Sequence, residues 1–241
     1  MPPVRPRPAR SNRTYRSIAH ILRPALRAMT RTTWSGAEHL PTDRGFVVAT
    51  NHVTNLDPLT VAHFLWDHGF APRIMAKHSL FGVPVLGRVL RGIEAIPVHR
   101  GTAAGARSLD AAAAALERGE CVLVFPEGTL TGDPDLWPML GKTGAARLAL
   151  DTGAPLVPVA QWGAHRVLAP RGKVLKAVPR RPVGVIAGPP VDLDDLHETR
   201  GAAQTATTRL MAQITDQLAQ IRDEQPPDGV WDPRTRSRVV R

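Results

Sequence analysis

Phe46-Val47-Val48-Ala49-Thr50-Asn51-His52-Val53-Thr54-Asn55-Leu56-Asp57-Pro58 is the stretch on which the reading of this chain turns. Its first four residues are a continuous apolar run, the pattern of a short strand buried on both faces. Residues 58–68 read as a helix, and a proline suits its first turn. His52 and Asp57, with four residues between them, therefore fall at a strand-to-helix turn. On a regular helix a five-residue step turns about 500°, leaving the two side chains roughly 140° apart. Contact between them requires an irregular segment. A carboxylate in contact holds an imidazole in one tautomer, freeing the other ring nitrogen to take a proton from an alcohol. Taken alone, the pair also fits a helix-capping aspartate beside a structural histidine.

Outward from this turn, strand and helix patterns alternate. Strands are predicted at 45–50, 73–77, 93–98, 121–125, 155–160 and 182–187, with helices near 58–68, 83–91, 104–118 and 142–152. The alanine-rich run at 103–116 is a strong helix former that Gly119 ends. Residues 200–224 read as a last helix with Leu210, Ile214, Leu218 and Ile221 as its buried stripe. The alternation predicts an α/β fold: a single domain, a mostly parallel sheet, and helices on both faces.

The ends differ from the middle. Residues 1–12 are expected to be a disordered basic arm, and 225–241 a flexible tail opened by Pro226-Pro227-Asp228-Gly229. Residues 13–34 are expected to be an amphipathic helix, kinked or split at Pro24. Its Ile18, Ile21, Leu22, Ala25, Leu26 and Met29 recur at helical spacing, with Arg16, Arg23, Arg27 and Arg31 on or beside the other face. Such a helix suits a membrane interface, and its apolar stripe equally suits packing on the domain.

Composition narrows the function. The chain has 241 residues, enough to bury a sizeable core, and 31 Lys+Arg against 21 Asp+Glu, a net charge of +10. That balance points to an anionic partner: phosphate-bearing substrates, anionic lipid or nucleic acid. Aromatic residues make up only 5% and form no basic-aromatic array, so a base-stacking platform is not expected. The single cysteine, Cys121, excludes an intrachain disulfide and reads as a buried, inert thiol. No apolar run is long enough to cross a bilayer, and the Pro/Arg-rich start has no signal-peptide core.

Further candidate residues follow other strands. Phe125-Pro126-Glu127-Gly128-Thr129 ends one; Arg100 lies just past another and is suited to gripping a phosphate; Lys77 ends a third. Lys142 precedes a helix start, where anions are favoured. Each, singly, also fits an ordinary turn or a solvated cation. There is no Walker loop, dinucleotide fingerprint, metal-ligand spacing or nucleophile-elbow serine. No cofactor and no metal are expected, and what remains is a base acting directly on a bound alcohol.

Four blocks in order, His52…Asp57, Gly92…Arg100, Phe125-Pro126-Glu127-Gly128-Thr129 and Leu156-Val157-Pro158-Val159-Ala160, resemble the lysophospholipid and glycerolipid acyltransferase family. The resemblance is strongest to its bacterial 1-acylglycerol-3-phosphate acyltransferases and covers about residues 35–190, within a catalytic domain at 35–224. It implies transfer of a fatty acyl group from acyl-CoA or acyl carrier protein to the free hydroxyl of lysophosphatidic acid. His52 would be the base and Asp57 its orienter. Arg100 would hold the acceptor phosphate, and Glu127, Gly128 and Thr129 would shape the acceptor site, with Lys77 and Lys142 nearby. The implied setting is the cytoplasmic face of the membrane, with the N-terminal helix resting on an anionic surface and no transmembrane span. The chain departs from the family at Leu130 and Thr131, where arginine and serine are common, which opens the acceptor head group to other lipid or glycolipid alcohols. A non-catalytic basic module for membrane or nucleic acid is the alternative of another class.

Overall fold

The apolar runs form the middle of a seven-stranded sheet in the order β1-β7-β6-β2-β5-β3-β4. These strands are β1 (Thr30–Ser35), β2 (Phe46–Thr50), β3 (Arg73–Lys77), β4 (Ile96–Val98), β5 (Cys121–Val124), β6 (Leu156–Trp162) and β7 (Arg181–Ala187). The computed structural model describes residues 11–99, 104–196 and 199–240. Residues 1–10 of the expected basic arm and Arg100 lie outside that set.

β2 sits at the centre, paired in parallel with β5 on one side and β6 on the other. Its five residues are all buried, as the apolar run demands. β3 and β4 extend the parallel set beyond β5. Among the described residues of this sheet, only the β6–β7 pair is antiparallel. The fold is the expected single α/β domain with a mostly parallel sheet and helices on both faces.

Side chains alternate along each strand, so the core divides in two. On one face Phe46, Val48, Leu123, Val157 and Val185 pack with α1 (Arg13–Met29), α2 (Asp57–Asp67) and α3 (Pro84–Gly92). On the other, Val47, Val122, Leu156 and Ala160 pack with α4 (Ala104–Glu117), α5 (Gly144–Thr152) and α6 (Ala202–Arg222). The α6 stripe is as the periodicity predicts: Leu210, Ile214 and Leu218 are fully buried. Each such side chain contributes about 1.5–3 kcal/mol relative to exposure.

Three expectations need correction. The N-terminal helix stops at Met29, and residues 30–35 form β1, an edge strand parallel to β7. Thr30 is held there by Arg180, which donates to its carbonyl at 2.7 Å. The expected strand at 93–98 is shortened to β4, because Glu94 takes a positive φ of 55° and the turn after α3 runs to Ala95. The tail is not loose either: β8 (Val230–Asp232) and β9 (Ser237–Val239) form a hairpin. It is seated on the loop after β5, where Arg238 Nη1 lies 2.7 Å from the fully buried Asp133 side chain.

α1 packs part of its apolar stripe on the domain. Tyr15 and Leu26 are buried, Ile18 packs in the same cluster as α2 and α3, and Arg23 pairs with Asp67 of α2 at 2.7 Å. The two uses open to that stripe are compatible: these residues pack, and Ile21 stays exposed.

Candidate active site

β2 and β5 lie side by side, but their connections leave in opposite directions: β2 leads through α2 to β3, and β5 through α5 to β6. Ligands in open α/β sheets bind at such a switch point, beyond the carboxyl ends of the strands. His52 follows β2 there, and Phe125 to Leu130 follow β5.

Asn51 sets the exit of β2. Its side-chain amide donates to the Gln161 carbonyl at 3.0 Å and accepts from the Gln161 N–H at 2.9 Å, adding a side-chain rung to the β2–β6 ladder. The chain then leaves the sheet, and the 53–56 turn brings Asp57 back toward His52. Asp57 Oδ2 lies 3.0 Å from His52 Nδ1 and also accepts the Val53 N–H at 2.5 Å and the Thr54 N–H at 2.8 Å. This is the irregular geometry that contact required. Asp57 is fully buried, and burial pushes its carboxyl above the ordinary range while the His52 ring and the Thr54 and Val53 amides pull it down. Three N–H donors converging on one oxygen suit an acceptor-only carboxylate, and a buried one without such partners would be far too costly.

The His52 ring lies against Phe125, tilted by 34° with centroids 4.2 Å apart, and keeps 15% of its side-chain surface exposed, toward a cleft of about 770 Å³. Its Nε2 takes no hydrogen bond from the described residues. The cleft is apolar along Ile74, Met75, Leu80, Val98 and Val124, and carries the cations Lys77, Lys142 and Arg147, with Asp110 and Asp151 also on its wall. Gly128, Thr129 and Leu130 complete it beside His52. Gly128 has a φ of +72°, and a Cβ there would meet Lys142 Cε and Nζ at 3.2 Å. A glycine is what lets that lysine lie against the backbone.

Glu127 lies behind the cleft. It is 2% exposed and turned away from the cleft: Oε1 accepts the His52 N–H at 2.7 Å, and Oε2 the Met139 N–H at 3.2 Å. Burial pushes its carboxyl up to about 8, against the pull of those two amides. Together with the Thr131 N–H, which donates to the His52 carbonyl at 2.6 Å, it grips the His52 backbone from both sides.

The structure thus joins His52, Gly128, Thr129, Lys77 and Lys142 around one cleft, sets Asp57 and Glu127 behind it, and leaves Arg100 outside the described residues. Residues the sequence reading passed over include Asn51, Phe125, Thr131, Met139 and Arg147. Only Arg147 carried a usable signal, a cation on the helix that Lys142 precedes. Cys121 is buried, which pushes its thiol well above the ordinary range. Among the described residues no group of three or more His, Cys, Asp or Glu is placed to hold a metal ion, and no helix is long and apolar enough to cross a membrane.

Comparison with known proteins agrees with this geometry. Residues 31–162 match the Acyltransferase family model. The chain is 34% identical over 149 residues to the 1-acyl-sn-glycerol-3-phosphate acyltransferase of Bacillus subtilis, covering 62% of this chain and 71% of that protein. It is 30% identical over 138 residues to the protein of the same name from Borreliella burgdorferi, a match spanning 54% of this chain and about half, 51%, of the relative. Among solved structures it is similar to the 1-acyl-sn-glycerophosphate (LPA) acyltransferase PlsC from Thermotoga maritima. The TM-score is 0.65 at 20% identity, covering 88% of this chain and 83% of that one, a likeness of fold.

Proposed function

The chain belongs to the acyltransferase family, and from that premise we propose that it acylates the free sn-2 hydroxyl of lysophosphatidic acid to give phosphatidic acid. The observation that carries this reading is the 3.0 Å contact between His52 and Asp57 at a cleft holding both apolar walls and cations. Such a cleft matches the substrates: an acyl chain for the walls, phosphate for Lys77, Lys142 and Arg147.

The chemistry follows from the pair. Asp57 keeps the His52 proton on Nδ1, so Nε2 is the lone-pair nitrogen facing the cleft. As the acceptor oxygen attacks the thioester carbonyl, Nε2 takes the hydroxyl proton, and Asp57 stabilises the imidazolium. The tetrahedral intermediate then breaks its carbon–sulfur bond, and the thiol of CoA or of acyl carrier protein leaves with the proton returned by His52. No residue is acylated on the way, consistent with a buried Cys121 and a sequence without a nucleophile-elbow serine. The donor is a substrate and no resident cofactor takes part. The reaction is assigned to the cytoplasmic face of the membrane, where the acceptor resides and the protein attaches peripherally.

Leu130 favours a second acceptor class. It is 8% exposed and lines the cleft where the family commonly has arginine. A site with one cation fewer and one apolar wall more suits a less charged head group, such as a glycolipid alcohol.

Incubating the protein with oleoyl-CoA and either lysophosphatidic acid or a lyso-glycolipid, with products read by mass spectrometry, tests the assignment. Phosphatidic acid as the dominant product is expected. Acylation confined to the glycolipid would move the assignment to the second class, and CoA release without either product would overturn both.

A further inference from the structure

Ile18 and Leu26 of the α1 stripe pack on the domain while Ile21 stays exposed, and the protein keeps a larger apolar surface elsewhere. The 3-10 turn at His78–Gly82 and the first turn of α3 present Leu80, Val83, Val85 and Leu86 to solvent, at 37, 45, 72 and 39% exposure. Pro84, between them, is exposed as well. Contiguous apolar surface of this kind is uncommon on soluble domains without a partner. Nor is the tip slack: Gly87 is buried, and a Cβ there would come within 2.2 Å of the Phe81 carbonyl oxygen, so the helix presses directly on the turn. Arg91 Nη1 donates to that same carbonyl at 2.7 Å.

The surroundings of the tip are cationic. Between Asp67 and Glu94 the chain carries no carboxylate. Lys77, Arg88 and Arg91 are exposed around the apolar residues. An apolar tip ringed by cations matches an anionic bilayer, with side chains entering the acyl boundary and guanidinium and ammonium groups meeting phosphates. The tip is also continuous with the cleft: Leu80 and Lys77 line it, and from Leu80 the apolar wall runs on to Met75 and Ile74.

We infer that the apolar tip at 80–86 is the surface by which this protein enters an anionic membrane, so that the cleft opens onto the bilayer and its lipid acceptor passes in along Leu80. The inference rests on the acyltransferase reading for the acceptor alone; membrane entry by the tip stands without it. It also assigns a job that the exposed face of α1, whose large apolar residue there is Ile21, does not have to perform.

Vesicle flotation tests it. The vesicles are phosphatidylcholine with about 30% phosphatidylglycerol, against phosphatidylcholine alone. The paired substitution Val85→Asp with Leu86→Asp is expected to lower the partition of the full chain onto anionic vesicles about tenfold or more. Ile21→Asp should leave it within about twofold. Because Cys121 is buried, a Val85→Cys variant takes a polarity-sensitive fluorophore at the introduced thiol alone, and its emission should shift to the blue on adding anionic vesicles. Acylation of a short-chain, water-soluble lysophosphatidic acid should survive the paired substitution, while acylation of acceptor embedded in vesicles falls. Unchanged flotation of the paired variant, loss of flotation in the Ile21 variant instead, or a fluorophore that does not respond would each overturn the inference. Failure of the wild type to acylate either acceptor would count against the reaction while leaving the flotation and fluorescence results to decide the surface.

Discussion

Replacing Glu127 with glutamine separates a residue that holds the histidine from one that holds the substrate. In the structure its two carboxylate oxygens accept two backbone N–H groups, His52 at 2.7 Å and Met139 at 3.2 Å, with the side chain 2% exposed. Protonated or ionised, both carboxyl oxygens keep a lone pair for these amides; a glutamine keeps one of the bonds, and its NH2 cannot accept the other, leaving a buried donor unmatched at a cost of about 1–3 kcal/mol. For a chain of this length that corresponds to a melting point lowered by about 2–12 °C. The displacement reaches the base through its own backbone, and a misplacement of about 1 Å costs on the order of 100-fold in rate. The expected result for Glu127→Gln is therefore kcat lowered about 10- to 100-fold with KM for the acceptor nearly unchanged, measured by thiol-reagent detection of released CoA. A pH readout accompanies it. Burial raises the Glu127 carboxyl from its ordinary 4.5 to about 8. The stability this group contributes is present in full below about 4.5 and is lost as pH climbs through about 8. Glutamine does not titrate, so the stability gap between wild type and variant should narrow over that window. A raised acceptor KM with kcat intact would refute the positioning role and return Glu127 to the substrate, and a gap that widens with pH would refute the burial argument.

Three further outcomes follow from the same structure. Arg238→Ala leaves the fully buried Asp133 without its 2.7 Å partner; it should cost about 2–4 kcal/mol in denaturant melts and lower kcat, since the loop carrying Asp133 also carries Met139. Lys142→Met should raise the acceptor KM by about tenfold or more while leaving the fold and kcat little changed, the kinetic mark of lost uniform binding. At Glu120, burial raises the carboxyl but the Arg73 and Arg118 guanidiniums outweigh it and hold it below its ordinary value. Its contribution to stability is thus present above about pH 4.5 and lost as pH falls through its depressed value, and Glu120→Gln should flatten acid melts in that range.

The central strands and the His52 turn were legible because their signals are local: apolar runs of strand length, helix periodicity, a histidine and an aspartate in one segment. β1 was not legible. Its residues, Thr30-Arg31-Thr32-Thr33-Trp34-Ser35, have one exposed polar face, and the strand exists by pairing with β7 about 150 residues away. The C-terminal hairpin was hidden for the same reason: after Pro226-Pro227-Asp228-Gly229 the chain looks like a tail, and its partner is the loop around Asp133 and Met139. Glu127 shows the limit within a recognised motif. Its place beside Gly128 and Thr129 marked it as part of the site, but which way the carboxylate points depends on the amides of His52 and Met139, one of them 75 residues away. At residues 13–29 the periodicity was correct, but it could not say which of its residues meet protein; the cluster with α2 and α3 takes up Tyr15 and Ile18 and leaves Ile21 exposed.

The most direct measurement of the central claim is acyl transfer from oleoyl-CoA to lysophosphatidic acid in mixed vesicles, wild type beside His52→Ala. His52 is held by its ring at Asp57 and by its backbone at Glu127 and Thr131, so alanine removes the base while both backbone anchors remain. Turnover in the wild type with a loss of about 1,000-fold or more in the folded variant is the predicted result. Equal rates in the two proteins would contradict the assignment of His52 as the base.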